Sequence, residues 1–299
     1  MIYPGHSELL EKTRIMLEQD NLPPALAVCS PRGWFAQDLL SEMVKKIISL
    51  DSSQAANELA HPDVLWVKPE KNVIKIDQIR EIGDFVYKTS QKSVKKVVAI
   101  EGAHFMNANS SNALLKVLEE SPDNTHLLLD TINLSSLIPT IRSRCQSLTV
   151  KINKGYLMDW LQEEHGVSLD DDKLAEIRSP QCYVVLSGFD LDKWVTELSS
   201  IGDPSKLIDD LIQSDTATII DAWARRILVQ QTDNPNIADL EFIDLLNRFR
   251  IELVHSNSTN IKLGIERLVG LWLQRLARRD KALSLIHISE PTRPERISY

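Results

Sequence analysis

The sequence predicts an α/β domain built on a parallel sheet flanked by helices, followed by an all-α remainder. Three observations carry this. Uninterrupted apolar runs stand at Ala25-Leu26-Ala27-Val28-Cys29, Val97-Val98-Ala99-Ile100 and Leu127-Leu128-Leu129. They are too short for helices and too continuous for half-exposed strands, so they read as strands buried on both faces. Between the last two lies a helical stripe, Leu114, Val117 and Leu118, and beyond Val150 the patterning turns helical throughout.

In chain order, residues 7–19 place Leu9, Leu10, Ile15 and Met16 among charges, a structural helix on the sheet's flank. After the first strand, Ser30-Pro31-Arg32-Gly33-Trp34-Phe35-Ala36-Gln37 stands where a nucleotide-binding chain carries G-x-x-x-x-G-K-[ST]. The chemistry of that motif is absent. Ser30 and Phe35 take the glycine positions, Ala36 replaces the lysine that reaches the β and γ phosphates, and Gln37 replaces the magnesium-ligating hydroxyl.

His61-Pro62-Asp63 precedes a strand at Val64 to Val67, and Ile76-Asp77 opens a helix carrying Ile79, Ile82, Phe85 and Val86, with Asp77 as its expected N-cap. Lys88, Lys92, Lys95 and Lys96 form a basic patch, read either as a solvated face or as a contact for a phosphate backbone. The strand at 97–100 runs into Glu101-Gly102. The next helix follows a cluster of N-cap candidates at Asn109 to Asn112 and stops at Pro122, because Ser121 before a proline is pushed out of the α region. Past the strand at 127–129 come Arg142 and Arg144, expected at the strand end where open α/β sheets build their sites.

Ser111 to Pro122, reading SNALLKVLEESP, and Pro139 to Cys145, reading PTIRSRC, resemble the bacterial clamp-loader ATPases, a branch of the AAA+ proteins, and an inactive relative of them. The resemblance is specific from Ala25 to Val150, weaker to Asp280 and absent after that. It implies an AAA+-type sheet domain at 1–150 with a degenerate nucleotide site, a small helical lid at 151–202, and a helical collar that oligomerises at 203–282. In active relatives the strand ends in Asp-Glu; here Glu101 and Gly102 stand there, without the general base. Ser179-Pro180-Gln181 falls at a motif in which active relatives carry a phosphate-sensing arginine after the proline, and Gln181 brings no such charge.

The resemblance implies no bound cofactor and no intrinsic catalysis. It makes Arg144, flanked by Ser143 and Cys145, an arginine finger for a neighbour's ATP. Its implied partners are the ATP-hydrolysing tau or gamma subunits, the delta subunit and, through them, the sliding clamp and primed DNA in replication. Two alternatives stay open: an active motor of the tau or gamma class, and a free-standing adaptor or DNA-binding module on the same fold.

Composition bounds the rest. The 299 residues suit two or three domains, and 43% hydrophobic with 25% charged residues is ordinary for a globular chain. A net charge of -8 argues against wrapping nucleic acid unaided. Cys29, Cys145 and Cys182 have no metal-ligand spacing, and the zinc knuckle that many relatives carry before His-Pro-Asp is missing from 49–59, so no metal is expected. No apolar run approaches the ~18 residues of a membrane span, and no signal peptide opens the chain, so a cytoplasmic protein is expected. Residues 283–299 match neither a helical period nor the family and read as a disordered or non-native tail.

Overall fold

The computed structural model describes residues 3, 5–200, 203–230, 236–255 and 260–288. The chain divides into two compact units, Met1–Gln181 and Cys182–Tyr299. In the first, β1 (Ala25–Cys29), β2 (Val64–Val67), β3 (Lys96–Ile100), β4 (Thr125–Thr131) and β5 (Gln146–Thr149) form a parallel sheet ordered β2-β3-β4-β1-β5. Helices α1 (His6–Glu18), α2 (Ala36–Ile47), α3 (Ile76–Val86), α4 (Ala108–Glu120) and α5 (Pro139–Arg142) alternate with the strands, and α6 (Lys154–His165) and α7 (Asp171–Glu176) follow. This is the AAA+-type arrangement that the resemblance implies.

The apolar runs are continuous because both faces of the sheet are covered. Ala27, Val98, Ile100, Leu127 and Leu129 point into one core with Ile79 and Ile82 of α3 and Leu114 and Val117 of α4. The alternate residues Leu26, Val28, Val97, Ala99 and Leu128 are equally inaccessible; α2 packs on β3 and β4, and its Leu39, Leu40, Met43 and Val44 are fully buried.

Polar residues hid some boundaries. β4 extends beyond its apolar centre because Thr125, His126, Asp130 and Thr131 are all buried in the sheet. α4 begins at Ala108, before the expected cluster, since Asn107 caps it by accepting the Ser110 N–H at 2.9 Å. α3 begins at Ile76, so Asp77 is not its N-cap; the amide of Lys75 instead donates to the Gln78 side chain at 2.9 Å. Lys96 leaves the basic patch altogether. It is 1% exposed, and its ammonium donates to the Lys88 carbonyl at 2.5 Å and to that of Phe85, closing the C-terminal end of α3. Lys95 pairs with Asp20.

The second unit opens inside α8 (Pro180–Gly188) and continues with α9 (Leu191–Ser200), α10 (Ser205–Gln213), α11 (Thr216–Gln230), α12 (Ile237–His255) and α13 (Ile261–Ile288). The turn residues at 203–205 lie within this unit, and Gly202 of the expected linker is outside the described residues. Trp194 of α9 ties across that segment, donating its indole N–H to the Leu207 carbonyl at 2.9 Å. Its ring meets Trp223 edge-on at 5.2 Å, and Trp223 meets Phe242 and Trp272 at 5.3 Å each, an aromatic core of the bundle. Of the expected tail 283–299, residues 283–288 continue α13 and 289–299 lie outside the described residues. Among the described residues, no helix is long and apolar enough to cross a membrane.

Candidate functional site

The loop from Ser30 to Phe35 leaves β1 and enters α2, the place where a strand–loop–helix unit cradles phosphate. Here the cradle is occupied by the protein's own groups. Trp34 is buried, and His6 donates from Nε2 to its carbonyl at 2.8 Å, with burial holding His6 below the usual imidazole pKa. Phe35, at the N-cap of α2, adopts a left-handed conformation with φ 47° and ψ 51°. Its ring stacks on Tyr3 at 4.0 Å and 27°. A bulky residue tolerates that backbone only where packing enforces it.

Gly33 is left-handed too, at φ 81°, and its carbonyl accepts the Gln181 N–H at 3.1 Å. A Cβ on Gly33 would stand 2.4 Å from the Ser179 hydroxyl, so the Ser179-Pro180-Gln181 motif closes directly over the loop. Ala36 and Gln37 form the first turn of α2, offering neither ammonium nor hydroxyl. These residues do not fit a magnesium-bound triphosphate.

At the end of β3 the sequence placed Glu101 and Gly102. Glu101 is buried and accepts the Trp66 indole N–H at 3.2 Å, while Lys68 stands 4.0 Å from it. Gly102, left-handed at φ 59°, donates its N–H to the Asp130 carboxylate at 3.1 Å. Burial pushes the Asp130 carboxyl up to about 7; the Gly102 N–H lowers it and the nearby Glu101 charge raises it. Asp130 escaped the sequence reading. Its signal was an acid directly after the apolar triplet at 127–129.

The arginines are not where the strand end suggested. Between β4 and β5 the chain crosses back through a short 3-10 turn at 134–136 and α5, as two parallel strands require. Gln146, the first residue of β5, pairs with Leu26 near the start of β1, whereas the 30–37 loop leaves the end of β1. Arg144, two residues before Gln146, therefore lies at the opposite edge of the sheet from the 30–37 loop; the stretch of β1 from Leu26 to Ser30 alone spans about 13 Å at ~3.3 Å per residue.

Arg144 is mounted on a tight turn. Ser143 donates its amide to the Pro139 carbonyl and its hydroxyl to that of Thr140, both at 3.0 Å. Arg144 donates its amide to Ile141 at 3.0 Å, and Cys145 packs partly buried against the core, its thiol pushed up to about 11 by that burial. The guanidinium reaches outward. Nη1 donates to the Thr140 carbonyl at 3.0 Å and Nη2 pairs with Glu119 Oε1 at 2.5 Å, with 39% of the Arg144 side chain exposed. Glu119 was also missed; an acid at the end of the α4 motif, facing SRC across the turn, is not visible as a pair in one dimension.

The family model described as "DNA polymerase III, delta subunit" matches residues 5–154. The delta' subunit of DNA polymerase III from Pseudomonas aeruginosa is 47% identical over 87 residues, 28% of this chain and 26% of that protein. The delta' subunit from Escherichia coli is 33% identical over 141 residues, 45% of this chain and 41% of that protein. A gamma subunit from Buchnera aphidicola is 44% identical over 79 residues, 26% of this chain and 21% of that protein. The chain thus matches less than half the length of these relatives. A solved structure of a gamma subunit-related protein from Thermotoga maritima superposes with a TM-score of 0.60 at 19% identity, covering 89% of this chain and 99% of that one. That likeness shows the fold.

Proposed function

The chain belongs to the family described as DNA polymerase III, delta subunit, and on that premise we propose that it is a non-hydrolysing delta-prime subunit of the bacterial clamp loader. In this reading it supplies Arg144 in trans to the ATP held by a neighbouring tau or gamma subunit, assembles with delta, and works in the cytoplasm. Through the complex it helps place the sliding clamp on primed DNA. Residues 151–202 serve as the lid and 203–282 as the oligomerising collar.

One observation carries the reading. β1 separates a phosphate loop filled by Phe35, Tyr3 and Ser179 from an outward-facing arginine at its other end. A guanidinium that cannot reach its own loop, presented on a rigid turn, suits a phosphate delivered by another subunit. Guanidinium is permanently charged and grips two oxygens at once, and a finger of this kind is worth ~10³ to 10⁵ in rate.

Two measurements test the assignment. Calorimetry with magnesium-ATP separates it from an active motor: no binding is expected, and micromolar binding contradicts it. Mixing the purified chain with tau and delta should give one co-eluting complex. A chain that stays monomeric in that mixture is a free-standing module instead.

A further inference from the structure

Arg144 does not stand free: both outer nitrogens of its guanidinium, the fork that would grip a phosphate, are engaged within the chain. The two contacts differ in kind. Thr140 offers a neutral carbonyl from the same turn. Glu119 offers a full negative charge from the far end of α4, 25 positions earlier in sequence, with 52% of its own side chain exposed. We propose that Glu119 is a regulatory latch on Arg144, holding the guanidinium paired and neutralised until a neighbouring subunit's nucleoside triphosphate displaces the carboxylate. This rests on the reading of Arg144 as a finger and adds a control to it.

The physical case has three steps. An ion pair this exposed does little for the fold, so stability gives it small reason to exist. The same exposure makes it exchangeable, because surface side chains change rotamer on the ps–ns scale and impose no kinetic barrier. Its effect is therefore a competition. Phosphate oxygens and the Glu119 carboxylate seek the same donors, and only the unlatched fraction of Arg144 can enter the neighbour's site. A guanidinium already balanced by a carboxylate also brings less positive charge to developing phosphoryl charge. The Ser143 hydroxyl donates to the same Thr140 carbonyl as Arg144 Nη1, so it offers the guanidinium no second acceptor and leaves Glu119 as the charged one.

The test is the ATPase of the reconstituted complex before clamp and DNA are added, with Glu119→Gln, Arg144→Ala and the double variant. Glutamine keeps the size and removes the charge. Glu119→Gln should raise the basal rate by about 1.5- to 5-fold, the worth of an exposed pair. That gain should shrink as salt screens the wild-type pair. It should vanish in the Arg144→Ala background, which a general effect of the substitution on folding or assembly would not do. If Glu119→Gln leaves the rate unchanged or lowers it while Arg144→Ala lowers it, the latch is wrong and the finger stands. If Arg144→Ala itself has no effect, the finger fails and the latch with it.

Discussion

Gln181 donates its backbone N–H to the carbonyl of Gly33 at 3.1 Å, and Ser179 fills the space beside that glycine. Two segments far apart in sequence thereby close the 30–35 loop, and the closure depends on the absence of a side chain at 33. Gly33→Ala adds a Cβ at φ 81° against the Ser179 hydroxyl. It should cost about 1–3 kcal/mol of stability, read as a lower urea midpoint at unchanged slope. A midpoint equal to wild type would show that the loop and the motif can part at no cost.

Filling also predicts how the loop resists repair. Ala36→Lys restores the motif lysine in the first turn of α2, but Phe35, its ring stacked on Tyr3 at 4.0 Å, still stands where the motif needs a glycine. Calorimetry on this single variant should show no magnesium-ATP binding. Tight binding would mean that the stack yields to phosphate.

Asp63 belongs to the His-Pro-Asp segment and acts as a loop anchor. Fully buried, it accepts the backbone N–H groups of Gln91, Lys92 and Ser93 at 2.7 Å each. Burial alone would raise its pKa, yet these donors outweigh it and hold the carboxyl at about 2. Its folded pKa is depressed, so its stabilisation is complete above the unfolded value near 4 and fades as pH falls through about 2. Asp63→Ala should cost about 3 kcal/mol at pH 7 by orphaning those donors, and the gap to wild type should narrow below pH ~4. Thermal melts across pH 2 to 7 measure this.

Asp130 has the opposite sign. Its folded pKa is raised to about 7, so the native state holds the proton more tightly than the unfolded chain and this group's contribution declines between pH ~4 and ~7. Asp130→Asn keeps an acceptor for the Gly102 N–H and cannot ionise. The variant should match wild type near pH 4 and exceed it in melting temperature at pH 8. Equal pH profiles for the two proteins would place the ionisation elsewhere.

Periodicity in one dimension revealed what faces only one environment. The runs at 25–29 and 97–100 are strands because neither face meets water, and that is written in five or four consecutive apolar letters. Thr125 and Asp130 are strand residues too, but their burial depends on partners across the sheet, so the strand's length was not legible. The same limit applies to the site. The loss of lysine and hydroxyl at Ala36 and Gln37 can be read directly, whereas Tyr3 on Phe35, Ser179 on Gly33 and Glu119 on Arg144 join residues that only the fold brings together. Arg144 was expected at the strand's finishing end, and its edge of the sheet was misjudged because a parallel crossover returns the chain to the strand's starting end.

Arg144 carries the central claim, and one substitution tests it most directly. Its side chain is part exposed and its pair with Glu119 lies on the surface, so Arg144→Ala should leave folding and assembly intact. The clamp- and DNA-stimulated ATPase of the reconstituted complex should then fall by at least ~10-fold, with Arg144→Lys recovering little because an ammonium lacks the planar fork. An Arg144→Ala complex that assembles normally and hydrolyses ATP at the wild-type rate would contradict the account.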